Sequence, residues 1–592
     1  MPRYVFDIET NELEIEKITR IHVICIKNAD TGEAETFRGG DVSQAVYLLN
    51  DADEIIGHNI IKFDVRAIQH LYPNFKPVGK ITDTLVLSRL LYPDIGNMQF
   101  KGVPSKLKVK HSLEAWGYRL GNYKGDFHGP WDECTDEMVT YCEQDVNVTF
   151  QLYHRLMSKK PSEMSVTLEH EFATIMAKME EHGFAFDVDA ATKLLIDLTA
   201  ERLELRKQLQ DTFPPEPVSE EFIPKKDNAK RGYKAGVPVI KTKLVVFNPS
   251  SRPQIVRRLK ALGWEPNVFT DKGQAKVDDS VLNKLPYPEA KLLARYFLVE
   301  KRIGQLSEGE QGWLRQVTNK GRIHGAINPN GAVTGRCTHS NPNIAQVPKV
   351  GKPFGKECRS LFTASKGKVL VGIDLSGLEL RCLAHFMARY DNGEYGKIVI
   401  DGDVHSLNQA AAGLPTRDNA KTFIYAYLYG AGDQKIGSIV KPLASVEDQK
   451  RVGKKLKKAF LEKTPALASL RKAVEVKVKE KGKLIGLDGR VLRIRSAHAA
   501  LNTLLQSAGA LIAKQATVLA YRNLSTLGYV FGKDWALVAH IHDEMQIEAK
   551  PEIAEVVGKV VVQSMQQAGE FFGFRVPITG EWKIGNNWAD TH

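Results

Sequence analysis

The sequence predicts a multidomain protein of mixed α/β and α+β class, and three observations carry that reading. Its 592 residues far exceed the length at which a single hydrophobic core stops growing, so at least three folded units are expected. Residues 1–157 alternate short apolar, β-branched runs with helical periodicity, the pattern of an α/β unit. Much later, the run Val369-Leu370-Val371-Gly372-Ile373 has the character of a buried strand and delivers a carboxylate, Asp374, at its end.

Taken in order, Tyr4-Val5-Phe6 and Ile21 to Ile26 read as opening strands and Val42 to Leu49 as a helix. From Ser165 to Leu209 the pattern turns helical, with Leu168, Phe172, Ile175 and Met179 at spacings of three and four, and predicts an all-helical arm. Residues 213–246 interrupt it with Pro214, Pro215, Pro217, Pro224 and Pro238. The same stretch carries Lys225, Lys226, Lys230, Arg231, Lys234, Lys241 and Lys243, and it reads as an exposed, partly mobile basic insertion. Helical periodicity returns at Arg252 to Leu262 and at Pro288 to Leu306. Thr416 to Tyr429 and Ala499 to Leu524 are helical as well. Leu537 to Ile541 with Met545 to Glu548 reads as a hairpin that places His542-Asp543-Glu544 at its turn.

Lys and Arg number 82 against 70 Asp and Glu, a net charge of +12 that suits a polyanionic partner. The six cysteines (Cys25, Cys134, Cys142, Cys337, Cys358 and Cys382) form no CxxC pair, so neither a disulfide framework nor a zinc site is expected and reduced thiols are the default. The N-terminal MPRYVFDIET puts a carboxylate where a signal peptide needs its apolar stretch. With no apolar run of membrane-spanning length, a soluble protein is expected.

Two acidic constellations carry the chemistry. Asp7 and Glu9, one residue apart on a strand, point to the same side of the sheet and can share a cation. Alone, such a pair is more often a solvated strand end. Here His58-Asn59-Ile60-Ile61-Lys62-Phe63-Asp64 offers a third carboxylate and Tyr141-Cys142-Glu143-Gln144-Asp145 a fourth, with Tyr141 and Asp145 on one helix face. Carboxylates gathered without Arg or Lys repel one another unless cations neutralise them, which argues for two metals. In the last third, Asp374 at a strand end and Asp543 in a hairpin turn are placed to meet at one edge of a sheet. Arg417, Lys421, Tyr425 and Tyr429 recur every four residues, so two cations followed by two aromatics form one stripe suited to a triphosphate and then a sugar and base.

The first set resembles, in order and spacing, the three motifs of the proofreading 3′–5′ exonuclease family. That resemblance implies an RNase H-like domain in which Asp7, Glu9, Asp64 and Asp145 hold the metals and Tyr141 orients the attacking water. Asp374-Leu375-Ser376-Gly377-Leu378-Glu379-Leu380-Arg381, the Arg417 to Gly430 helix and His542-Asp543-Glu544 resemble motifs A, B and C of family A, DNA polymerase I-like, DNA polymerases. Thr334-Gly335-Arg336 with Pro342-Asn343 and Gln346-Val347-Pro348 is similar to that family's primer-template segment. Asp418 to Tyr425 and Leu501 to Ala510 are similar to replicative members of the bacteriophage T-seven type. The resemblance covers nearly the whole chain, to Asn587-Trp588-Ala589.

The resemblance implies an exonuclease domain over 1–157, a thumb over 158–322, a palm over 323–386 and 508–592, and fingers over 387–507 forming a right hand. It implies transfer of dNMP to a primer 3′-hydroxyl by a two-metal mechanism, with Mg²⁺ in each site and Mn²⁺ as a substitute. Asp374 and Asp543 would bridge the metals, the Leu375 carbonyl would add a ligand, and Glu544 and His542 would support the primer terminus. Arg417, Lys421 and His405 would stabilise charge on the phosphates, while Tyr425 and Tyr429 would stand at the nucleotide. Glu379 would exclude a ribose 2′-hydroxyl, a Tyr at 425 is similar to forms that accept dideoxynucleotides, and Arg336, Gln346 and Gln506 would contact DNA.

No 5′-nuclease domain is expected ahead of the Asp7 segment. Residues 213–246 stand where the T-seven type carries a larger loop that binds host thioredoxin. Because this insertion is short, that partnership is not expected to carry over. Primer-template DNA, dNTPs, a replicative helicase-primase and single-strand-binding protein are the implied partners, and the implied setting is phage genome replication in the cytoplasm of an infected bacterium. The complete exonuclease set argues against a repair or translesion polymerase, Glu379 against a single-subunit RNA polymerase, and the full complement of carboxylates against a non-catalytic DNA-binding scaffold.

Overall fold

In a computed structural model, which describes residues 2–270, 272–442 and 444–592, the first strand is built by alternation. β1 (Arg3–Thr10) sends Phe6 and Ile8 into one cluster with Val42, Ala45, Val46 and Leu49 of α1 (Val42–Asp51). Its other face puts Val5 against Met138, Val139, Cys142 and Val146 of the helix Asp136–Met157. Period two therefore places Asp7 and Glu9 on the Val5 face, beneath that helix. β2 (Ile21–Asn28), β3 (Ala34–Arg38), β4 (Glu54–Gly57) and β5 (Lys80–Asp83) complete a five-stranded sheet in the order β3-β2-β1-β4-β5, with β1 antiparallel to β2 and parallel to β4. The helices that follow in this part are α2 (Asp64–Leu71), α3 (Thr84–Leu91), α4 (Leu113–Leu120), α5 (Asp136–Met157, described above) and α6 (Glu163–His182).

A second sheet is made by β6 (Val369–Leu375), β7 (Trp535–Ile541), β8 (Glu544–Ala549) and β9 (Gly580–Gly585), antiparallel throughout in the order β7-β8-β6-β9. Asp374 thus lies on a central strand rather than at the sheet's edge, and Glu544 opens β8 instead of sitting in the turn. Around this sheet lie α7 (Leu378–Asp391), α8 (Val404–Ala412), α9 (Arg417–Leu428), α10 (Ala500–Thr526) and α11 (Ala554–Phe571). α10 is buried on nearly every side, including Leu504, Ala508, Leu511, Ile512 and Ala516, as expected of a helix that is apolar all round. α11 meets β9 so closely that a Cβ at Gly558 would sit 2.5 Å from the Trp582 ring.

These elements belong to one compact unit, made of Met1–Phe184, Gly325–Ser340 and Ala364–His592; the other is Ala185–His324 with Asn341–Thr363. The continuous helical arm expected from Ser165 to Leu209 is divided. α6 ends at Gly183, whose φ of +68° an L side chain rarely adopts, the short strand Phe184–Phe186 follows, and Asp187 caps a new helix, Val188–Thr212, by accepting the Ala190 N–H. In the second unit that helix packs with Pro288–Ile303. The insertion over 213–246 is a paired β-ribbon, Glu216–Phe222 against Val239–Val245, and not the loop that its prolines imply. A two-stranded ribbon has only edges, so Pro217 is tolerated opposite Leu244. The register puts Leu244 and Ile240 on the same face as Pro217, exposed by 70% and 73%.

In the first unit a closed charge network crosses three segments. Glu169 on α6, 0% exposed, accepts from Arg490 Nη2 at 2.5 Å and from Lys514 Nζ of α10 at 2.6 Å. Arg490 also donates to Asp488 at 2.6 Å and to Asn330 Oδ1 at 3.2 Å. Two anions meet two cations, so the network is neutral although it is out of water. Glu169→Ala leaves two buried cations facing a single carboxylate and is expected to destabilise the unit by about 3–5 kcal/mol, read as a lower midpoint in denaturant unfolding.

Candidate functional site

The N-terminal carboxylates converge from three elements. Asp7 lies opposite Cys25 and Glu9 opposite Val23 in the β1–β2 ladder, and single side-chain atoms of Asp7, Glu9 and Cys142 fall within 4.8 Å of one another. Asp64 starts α2, after a turn that Asp83 pins by accepting the N–H groups of Asn59 at 2.9 Å and Ile61 at 3.2 Å. Tyr141 and Asp145 come from α5, capped by Thr135 through the Met138 N–H. Glu9, Asp64 and Asp145 are 8%, 4% and 4% exposed.

Gathering these groups out of water disfavours their charged forms. Burial first, then the neighbouring charges of Asp64, Asp145 and Glu9, raises Asp7 well above the ordinary carboxylate range. Burial is also the leading cause that lifts Glu9 to about 8, Asp64 to about 7 and Asp145 to about 6. The reading of a cluster with no basic partner is corrected at one point: Lys124 forms an ion pair with Asp145 and lies 4.4 Å from the centre of the Tyr141 ring. No spacing rule brings residue 124 to 145, so the pairing had no signal in the sequence. The other oxygen of Asp145, Oδ1, is buried with no hydrogen-bond partner among the described residues. Four carboxylates, countered by a single lysine, form an oxygen-donor set that fits hard divalent cations.

The second constellation forms where β6 meets the β7–β8 turn. Asp374 lies opposite Glu544 on β8 and Glu581 on β9, and the Leu375 N–H donates to the Asp543 carbonyl at 3.0 Å, so strand and turn are tied next to the two aspartates. His542 holds a left-handed φ of +59°, a strained conformation for a residue with a side chain. Glu544 faces inward, 6% exposed, accepting from Gln546 at 2.9 Å and from the Trp588 indole, with His592 at 3.3 Å. Glu581, which shares the Asp374 register, escapes sequence reasoning because its pairing depends on the return of the chain end.

Thr416 caps α9 by accepting the Asn419 N–H at 3.1 Å, and the helix buries Ala420, Phe423, Ile424 and Tyr427. That burial leaves Arg417 and Lys421 exposed and Tyr425 half-buried along one stripe. Arg417 pairs with Asp403 at 2.9 Å, and Asp403 also caps α8 through the N–H groups of His405 and Ser406. The hydrogen bond from Arg417 is the main cause that holds the Asp403 carboxyl well below its ordinary range. Asp403 was not among the expected residues, although an Asp ahead of a helical run is a readable cap signal. The His405 ring stands 6.4 Å from that of Tyr425. Tyr429 donates to Glu379 Oε1 at 2.9 Å while Arg336 lies 3.6 Å from the same oxygen, which joins three separate motifs in one contact. Burial, then the charge of Glu379, pushes the Tyr429 phenol up to about 12. Gln506 is half-buried on α10, and Gln346 belongs to the second unit.

Comparison with known proteins follows the same outline. The chain is 41% identical to the DNA-directed DNA polymerase of Enterobacteria phage T3 and 40% identical to the DNA-directed DNA polymerase of Escherichia phage T7, in each case over 99% of this chain and 100% of the relative. Its fold is similar to the solved POL domain of Pol1 from M. smegmatis, in complex with DNA primer-template and dNTP, with a TM-score of 0.76 at 18% identity over 99% of this chain and 96% of that one. Residues 234–590 match the family model described as DNA polymerase family A. With that match and two relatives at about 40% identity end to end, the chain belongs to DNA polymerase family A.

Proposed function

We propose that this chain is a DNA-directed DNA polymerase with a 3′–5′ proofreading exonuclease, replicating a phage genome in an infected bacterial cell. The observation that carries the reading is the pair of carboxylate constellations, one on β1, α2 and α5 and one on β6 and the β7–β8 turn, each fit for divalent cations. On this reading 1–157 is an RNase H-like exonuclease domain, 158–322 a thumb, 323–386 with 508–592 a palm, and 387–507 fingers. Primer-template DNA and dNTPs are the substrates, and Mg²⁺ is the cofactor of both sites.

When bound, divalent cations would lower the pKa of the attacking hydroxyl or water and offset charge on the phosphates. Asp374, Asp543 and the Leu375 carbonyl would hold them at the synthetic site; Asp7, Glu9, Asp64 and Asp145 would do so at the hydrolytic one. Asp403 pairs with Arg417 at the start of the α9 stripe. Arg417, Lys421 and His405 would face the dNTP phosphates and offset charge on the β- and γ-phosphates as these leave as pyrophosphate while the α-phosphate joins the primer. Tyr425 and Tyr429 receive sugar and base, and the Tyr429 contact fixes Glu379 where a 2′-hydroxyl would otherwise fit. Arg336, Gln346, Gln506 and His542 contact primer-template DNA. Glu544 would reach the primer end through the backbone at the start of β8, since its carboxylate is bound to Gln546 and Trp588. At the hydrolytic site Tyr141 orients the water.

Asp543→Ala is expected to lower primer extension about a hundredfold or more while sparing 3′ hydrolysis, and Asp7→Ala to do the reverse. Both activities surviving in both variants would sink the two-site reading. Glu379→Ala is expected to lower the preference for dNTP over rNTP about tenfold in single-nucleotide insertion assays. For Asp7, Glu9, Asp64 and Asp145 the folded pKa lies above the unfolded one, so the unfolded chain loses its protons first and stability falls as pH rises from about 4 through 8. In EDTA at pH 8, Asp7→Asn with Glu9→Gln should therefore melt about 2 °C or more above the parent. That gap should close toward pH 5 and close again when Mg²⁺ is added to the parent.

A further inference from the structure

The loop between α4 and α5 is built to hold one ammonium over the N-terminal carboxylates. Gly121 ends α4 at φ +70° and Gly125 continues at φ +83°, so two left-handed glycines bracket the turn that presents Lys124. Gln144, on α5 beside Asp145, donates to Asn122 Oδ1 and to the Tyr123 carbonyl, both at 2.7 Å, and so pins the loop to the helix that carries Tyr141 and Asp145. Lys124 then reaches back to Asp145, with side chains 17% and 6% exposed, and over the Tyr141 ring. Lys124 thus sets one ammonium against a carboxylate and an aromatic face at once.

We infer that Lys124 is a positioning residue of the hydrolytic site: it ties Asp145 to Tyr141 and supplies one of the positive charges that four clustered carboxylates demand. This rests on the exonuclease reading above. Two consequences have opposite signs. Without the ammonium the cluster is more negative by one charge and attracts divalent cations more strongly. Without the tie, Tyr141 and Asp145 lose their mutual geometry and hydrolysis slows. A lysine that merely stabilised the loop would show no such split, because loosening the ligands weakens cation binding.

The test uses the full chain with its second constellation silenced by Asp374→Asn and Asp543→Asn, Mn²⁺ binding followed by electron paramagnetic resonance, and hydrolysis of a mispaired primer end at saturating Mn²⁺. Lys124→Met is expected to bind Mn²⁺ about fivefold or more tightly and to hydrolyse about tenfold or more slowly, whereas Lys124→Arg keeps the parent affinity. Gln144→Ala, which releases the loop but retains the charge, is expected to slow hydrolysis without tightening Mn²⁺. Unchanged or weaker Mn²⁺ binding by folded Lys124→Met, or an unchanged hydrolysis rate, overturns the inference. A parent chain that binds Mn²⁺ yet leaves the primer end intact removes the exonuclease reading instead, and the affinity comparison still decides the charge role of Lys124.

Discussion

Acids that repel one another stay together only where the surrounding fold holds them by other means, and that constraint organises the first unit. Asp7 and Glu9 gain nothing from each other; they are adjacent because Phe6 and Ile8 must face α1, which turns the odd positions of β1 toward α5. Asp64 is placed by a turn that hangs from Asp83, itself the cap of α3. Asp7, Glu9 and Asp64 are thus set by apolar burial and by backbone hydrogen bonds to Asp83, while Asp145 is also held by Lys124.

The neutral network of Glu169, Asp488, Arg490 and Lys514 is the counter-example within the same unit. There the charges sum to zero and each carboxylate has a cation within hydrogen-bond reach. The acids around Asp145 have one lysine among four. Charge balance separates a network whose charges cancel from a cluster that keeps an excess of negative charge. The second constellation follows a third pattern, since Asp374 is solvent-exposed and Asp543 partly so, while Glu544 is drawn inside by Gln546 and Trp588.

Much of this was legible in the residues. The strands at Tyr4-Val5-Phe6, Ile21 to Ile26 and Val369 to Ile373, and the helices from Val42, Arg417 and Ala499, follow local periodicity, and periodicity is a short-range property. The polymerase family, too, was readable from motif wording. What escaped depends on residues distant in sequence: Lys124 against Asp145, Glu581 against Asp374, and the ribbon whose strands are separated by the stretch from Ile223 to Pro238. The prolines there signalled a loop because Pro opposes central strands, and that rule lapses where every strand is an edge. The break at Gly183 was hidden by apolar spacing that continues on both sides of it.

The first unit is assembled from three separated stretches of chain, and this gives it a timetable. The β1–β5 sheet and its helices are complete once Phe184 has been synthesised, whereas β9 arrives only at Gly580 and the indole of Trp588 later still. At roughly 5–20 residues per second, the nearly 400 residues between them take about 20–80 s to emerge from a ribosome. Within that interval β6, made by Leu375, waits for β8 until Ala549 and for β9 until Gly585, an apolar strand in want of pairing. A translation arrest in the last few dozen codons would therefore release a chain with a finished front half and an open, adhesive back half, the kind of nascent chain that chaperones capture.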